Sequence, residues 1–96
     1  MLLDELHTLK PDIERLARTH GARRIRVFGS VVRGEETPES DIDFLVDFPV
    51  GYDLFAQRFP LADKLAELMG RRIDLIPEHE LNRHLRASVL EEAVDL

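Results

Sequence analysis

Residues 41–48, Asp-Ile-Asp-Phe-Leu-Val-Asp-Phe, constrain this chain more than any other segment. A β-strand sends successive side chains to opposite faces. Ile42, Phe44, Val46 and Phe48 therefore fall on one side, and Asp41, Asp43, Leu45 and Asp47 on the other. The first side is apolar enough for the middle of a sheet, and Pro49 and Gly51 end the strand. Such a strand needs neighbours and a cover, and the flanking segments supply both. Arg24–Phe28 alternates and stops at Gly29, predicting a second strand; Arg72–Ile76 predicts a third, stopped by Pro77. Leu2, Leu6, Leu9, Ile13 and Leu16 recur at threes and fours, predicting a helix over 2–20 that Pro11 restarts and Gly21 closes.

Between the first two strands, Ser30–Gly34 reads as a short helical turn and Glu35–Ser40 as a polar loop broken by Pro38. Residues 53–69 read as a helix kinked or restarted at Pro60 and capped by Gly70. Leu54, Phe55, Phe59, Leu61, Ala62, Leu65 and Leu68 are its candidate core-facing stripe. Residues 78–93 read as a last helix, with Leu81, Leu85, Val89, Leu90, Ala93 and Val94 assigned to the core by default, some of them available to a partner. The expected order is helix, strand, turn, strand, helix, strand, helix. The fold class is α/β (α+β), a small sheet flanked by helices. With 96 residues the whole chain, 1–96, is expected to be one domain.

Composition trims the function classes. The 44% apolar share supports a core, and the absence of cysteine removes disulfides, thiolate metal sites and a cysteine nucleophile. The acidic start and the lack of any membrane-length apolar run point to a soluble, cytoplasmic protein without a signal peptide. The net charge of −6 argues against nucleic acid as the main partner, although seven bases lie between Lys10 and Arg33. From Glu35 to Asp53 there are seven acids and no base.

Those acids include the least expected residues. Asp41 and Asp43 share a strand face, and Asp74 lies between Ile73 and Leu75, which face the other way. Aspartate is a poor strand former. Two carboxylates about 4 Å apart repel by roughly 4 kcal/mol at an effective dielectric near 20. A divalent cation removes that repulsion, and Mg²⁺ prefers carboxylate oxygens. The simpler account is an exposed strand edge with solvated acids. Phe28-Gly29-Ser30 tips the balance, because a glycine lets backbone approach a ligand and free amides at a helix start face an anion. Arg33 adds a positive charge one turn later. A phosphate cradle followed eleven residues after Ser30 by Asp-x-Asp is the arrangement phosphoryl-group transfer uses.

Gly29-Ser30-Val31-Val32-Arg33-Gly34, Ser40-Asp41-Ile42-Asp43-Phe44-Leu45-Val46 and Arg72-Ile73-Asp74-Leu75-Ile76 together resemble the nucleotidyltransferase superfamily related to DNA polymerase beta. More closely, the chain resembles the minimal nucleotidyltransferases of HEPN–MNT toxin–antitoxin pairs. Val32 stands where alanine is common in that family. The resemblance implies a small mixed sheet and nucleotide binding by Gly29, Ser30 and Arg33. It implies two Mg²⁺ ions held by Asp41, Asp43 and Asp74, with Asp74 also helping to deprotonate the incoming hydroxyl. ATP is the implied donor, and a tyrosine of a partner HEPN RNase toxin the implied acceptor, in a hetero-oligomer of toxin and antitoxin. So short a chain leaves no residues for an acceptor-binding domain, which suits an acceptor delivered by a partner protein. Two alternatives stay open: neutralisation of the toxin by binding alone, through the 35–53 segment or the last helix, and a free-standing transferase for a small hydroxyl-bearing substrate. His7, His20, His79 and His84 lack metal-ligand spacing. Tyr52 is a candidate for stacking on adenine or, more simply, for packing beneath its loop.

Overall fold

The computed structural model describes residues 2–96; Met1, the first residue of the expected domain, lies outside them. The first helical segment restarts at Pro11 as expected, giving α1 (Leu2–Thr8) and α2 (Lys10–Thr19) with Pro11 in the first turn of α2. Proline lacks an N–H that this turn would leave unpaired, so it starts a helix at little cost. β1 (Arg24–Phe28), α3 (Ser30–Arg33), β2 (Ile42–Asp47), α4 (Phe59–Met69) and β3 (Ile73–Pro77) follow. Beyond them lie α5 (Arg83–Glu92) and β4 (Val94–Asp95).

Among the described residues the strands form one mixed sheet in the order β3-β2-β1-β4. β1 runs antiparallel to β2 and β4, while β2 and β3 are parallel. The side of the sheet carrying Ile25, Val27, Ile42, Phe44, Val46 and Leu75 is buried together with Leu6 of α1, Ile13 and Ala17 of α2, and Leu61 and Leu65 of α4. Leu45 is buried as well, on the opposite, carboxylate-bearing side. There the 3₁₀ turn Glu78–Glu80 packs on β2, and Glu78 pairs with Arg26 at 3.1 Å.

Five expectations need correcting. Asp41 precedes β2 rather than opening it, and Pro77 is the last residue of β3 rather than its stop. Pro77 faces Val46 in the parallel register and is buried, and a proline is tolerated there because the strand is at the sheet edge. Residues 54–58 form a wider π-helical turn before α4, which rotates the stripe. Phe55 is consequently 77% exposed and Phe59 47% exposed, meeting edge to face at 5.5 Å instead of entering the core. The predicted 78–93 helix is shortened to α5, and residues 94–95 instead form β4. Arg24 binds Asp95 through Nε at 3.0 Å and holds its carboxyl below the usual range. The default burial of the last helix also fails. Every residue of α5 keeps exposed surface, and Leu85 is 58% exposed.

Tyr52 takes the simpler of its two expected roles. It stacks on Phe48 at a centroid distance of 4.9 Å, and its hydroxyl donates to Glu80 and accepts from Arg58 Nη1. Among the described residues no helix is long and apolar enough to cross a membrane.

Candidate active site

Strand register assembles the site. Antiparallel pairing sets Phe28 opposite Asp43, and parallel pairing sets Asp43 opposite Asp74, so the end of β1 and two carboxylates meet on one side of the sheet. Gly29 comes next in the chain. Its φ of 81° and ψ of −153° lie where essentially only glycine is unstrained. A Cβ at that position would run into Asp43 Oδ2, with Asp43 Cγ only 3.1 Å away. The glycine is thus required twice, by its backbone and by the carboxylate lying against it.

Ser30 opens α3, whose Val31 is buried and anchors the turn in the core; Gly34 ends it in the left-handed conformation. One turn on from Gly29, Arg33 points Nε at Glu35 Oε1 (2.7 Å) and Nη1 at Glu92 Oε1 (2.8 Å). Glu92 also accepts a hydrogen bond from the Gly29 amide at 2.6 Å. An anionic oxygen therefore already rests on two of the donors expected to hold phosphate.

The carboxylates behave as a strained set. Burial pushes the Asp43 carboxyl up to about 6. The Asp74 and Asp41 charges and a hydrogen bond shared with Asp74 add to that shift, and Arg33 partly opposes it. Two carboxyl groups share a hydrogen bond only when one holds a proton, so proton uptake relieves part of the repulsion. Asp41 stands apart, exposed and paired with Arg72 Nε at 3.0 Å. Among the described residues no three acidic, histidine or cysteine side chains converge as a formed metal site. The donor set nonetheless fits a hard divalent cation: oxygen-only ligands, excess negative charge, and a carboxyl whose raised proton affinity marks repulsion that a cation would relieve. The Arg72 pair would have to yield for Asp41 to join.

Of the expected site residues, Gly29, Asp43 and Asp74 are brought together, with Ser30 and Arg33 on the adjoining turn and Asp41 at the rim. Sequence reasoning missed Glu92, 63 residues away from Gly29. No spacing rule connects the two, because the contact depends on how α5 returns to the sheet.

The family described as nucleotidyltransferase domain matches residues 8–96. The protein adenylyltransferase MntA of Thermococcus cleftensis is 37% identical over 95 residues, covering 98% of this chain and 95% of the relative. A solved structure provisionally described as a minimal nucleotidyltransferase superposes with a TM-score of 0.85 at 41% identity, covering 98% of this chain and 95% of that one. The complex of a tri-AMPylated HEPN toxin with its MNT antitoxin from Shewanella oneidensis matches at a TM-score of 0.70 and 25% identity. That match covers 93% of this chain and 69% of the other.

Proposed function

The chain belongs to the nucleotidyltransferase domain family, and from that membership we propose that it transfers AMP from ATP to a hydroxyl of a partner protein, a tyrosine of a HEPN RNase toxin, and thereby neutralises it. The observation that carries this reading is the junction of β1 and β2, where Gly29 lies against Asp43 and Asp43 pairs with Asp74. Phosphate donors and carboxylates share one edge of the sheet. The adenylyltransferase relative and the AMPylated toxin complex supply the class of acceptor.

In this reading the Gly29 amide, the Ser30 hydroxyl and the Arg33 guanidinium grip the triphosphate as charge-assisted donors. Asp41, Asp43 and Asp74 are the residues that would hold Mg²⁺, two ions in all, and the ions would supply neutralisation of the charge that develops during transfer. Asp74, exposed at the rim, accepts the proton of the incoming hydroxyl. The hydroxyl oxygen forms a bond to the α-phosphorus, the bond from that phosphorus to the bridging oxygen breaks, and pyrophosphate departs with the electron pair. Positioning and electrostatics supply most of the acceleration in such reactions.

Intact-mass measurement of the partner after incubation with this protein, ATP and Mg²⁺ is the test. AMP-sized additions, mapped to tyrosine and absent when any component is omitted, are expected. An unmodified partner would refute the transferase reading. The exposed side of α5, with Leu85 58% in solvent, favours a second reading in which binding alone neutralises the toxin. The double variant Asp41→Asn, Asp43→Asn separates the two: protection retained with an intact complex supports binding, and protection lost supports transfer.

A further inference from the structure

Glu92, near the end of α5, occupies donors on two of the three residues assigned to the candidate nucleotide site. Its Oε1 accepts from the Gly29 amide at 2.6 Å and from Arg33 Nη1 at 2.8 Å. To an amide and a guanidinium, a carboxylate oxygen and a phosphate oxygen are equivalent anionic acceptors. One pair of donors cannot serve both, and a triphosphate approaching an ionised Glu92 also meets like charge.

The helix carrying Glu92 is built to let go. No side chain of α5 is buried among the described residues. Val89 and Leu90 are only half-buried, and Arg86 donates to the Glu78 carbonyl at 3.0 Å and lies 3.7 Å from the Glu78 carboxylate. Segments with few buried apolar contacts open at low free-energy cost. On its far side the chain is pinned again by β4, where Val94 and Asp95 pair with Val27 and Arg26. Release is therefore confined to α5.

We propose that Glu92 is an intramolecular competitor for the nucleotide's phosphates: it holds Gly29 and Arg33 in the empty site, and α5 loosens when a triphosphate replaces it. This inference rests on the reading of Gly29 and Arg33 as triphosphate ligands. It assigns Glu92 a role in setting nucleotide affinity and couples occupancy of the site to the order of the most exposed helix.

The test is calorimetric titration of the whole chain with Mg²⁺ and an α,β-methylene ATP analogue, comparing wild type with Glu92→Gln and Glu92→Ala. Both variants are expected to bind about tenfold more tightly, equivalent to ~1.4 kcal/mol. Hydrogen exchange over residues 83–92 is expected to accelerate on nucleotide binding in wild type and to be fast already in the variants. Affinity equal to or weaker than wild type in both variants, or exchange in α5 that nucleotide leaves unchanged, would overturn the proposal while leaving the transferase reading intact. If none of the three proteins binds the analogue, the transferase reading fails and this inference with it.

Discussion

Asp43→Asn is expected to lower AMP transfer by at least ~10³-fold, about 4 kcal/mol of transition-state stabilisation, and at the same time to make the cation-free protein more stable at neutral pH. The two effects have one cause. Asp43 is pressed between Asp74 and Gly29, with its carboxyl pushed up to about 6 by burial and by the neighbouring carboxylates. A carboxyl that binds its proton more tightly folded than unfolded destabilises the fold once ionised. The cost is complete above a pH of about 6, shrinks as pH falls and the folded state takes up the proton first, and is gone below the unfolded value of 3.8. Solvent reaches Asp43, so the full linkage energy is discounted to about 1 kcal/mol, or roughly 4–8 °C in Tm for a chain of this size. Thermal unfolding in chelator should therefore show the variant melting above wild type at pH 7, with the gap closing towards pH 4. Added Mg²⁺ should raise the melting temperature of wild type more than that of the variant. A variant that melts below wild type at pH 7, or one that keeps its activity, would show that Asp43 belongs to the scaffold and not to the chemistry.

That combination explains how much of the site was legible in the sequence. Asp41, Asp43 and Asp74 stood out because strand periodicity and like-charge repulsion are local rules, and they break visibly when aspartates interrupt apolar strands. Gly29 was legible as a strand-ending glycine, but its packing on Asp43 comes from the β1–β2 register, which no residue near Gly29 reveals. Asp41 was assigned to the strand, whereas Arg72 draws it to the rim, an exposed pair that side-chain spacing does not encode. The helices α1, α2 and α4 followed from apolar periodicity and proline positions. The π-helical turn at 54–58 did not, because one wider turn shifts the phase of every later residue and moves Phe55 from core to solvent. β4 is only two residues long, too short for alternation to register, and exists through its pairing with β1 and the Arg24–Asp95 ion pair. Glu92 was invisible for the same reason: its partners are set by tertiary return of the chain.

Gly29→Ala is expected to be severely damaging for the addition of a single methyl group. The substitution forces a residue with a Cβ into φ 81°, ψ −153°, at a cost of about 1–3 kcal/mol for backbone strain. The new Cβ also lands on the Asp43 carboxylate, and relieving such overpacking costs a further ~1–3 kcal/mol. A loss near 3–4 kcal/mol is a large share of the 5–15 kcal/mol typical of small domains, and corresponds to a Tm decrease of roughly 12–30 °C. Asp43 can escape only by swinging away from Asp74, and the Gly29 amide turns with its own strained backbone. Transfer should therefore fall together with nucleotide binding, even at temperatures where the variant stays folded. Gly51→Ala provides the comparison, because Gly51 also has a positive φ of 87° but nothing lies within 4 Å of the added Cβ. It should show backbone strain alone, about 1 kcal/mol, with transfer unchanged. Equal losses of stability and activity at the two glycines would mean that positive φ accounts for everything at residue 29. A selective loss of transfer at Gly29, measured on protein confirmed folded by circular dichroism, would tie the glycine to the carboxylate it touches and to the phosphates it is proposed to hold.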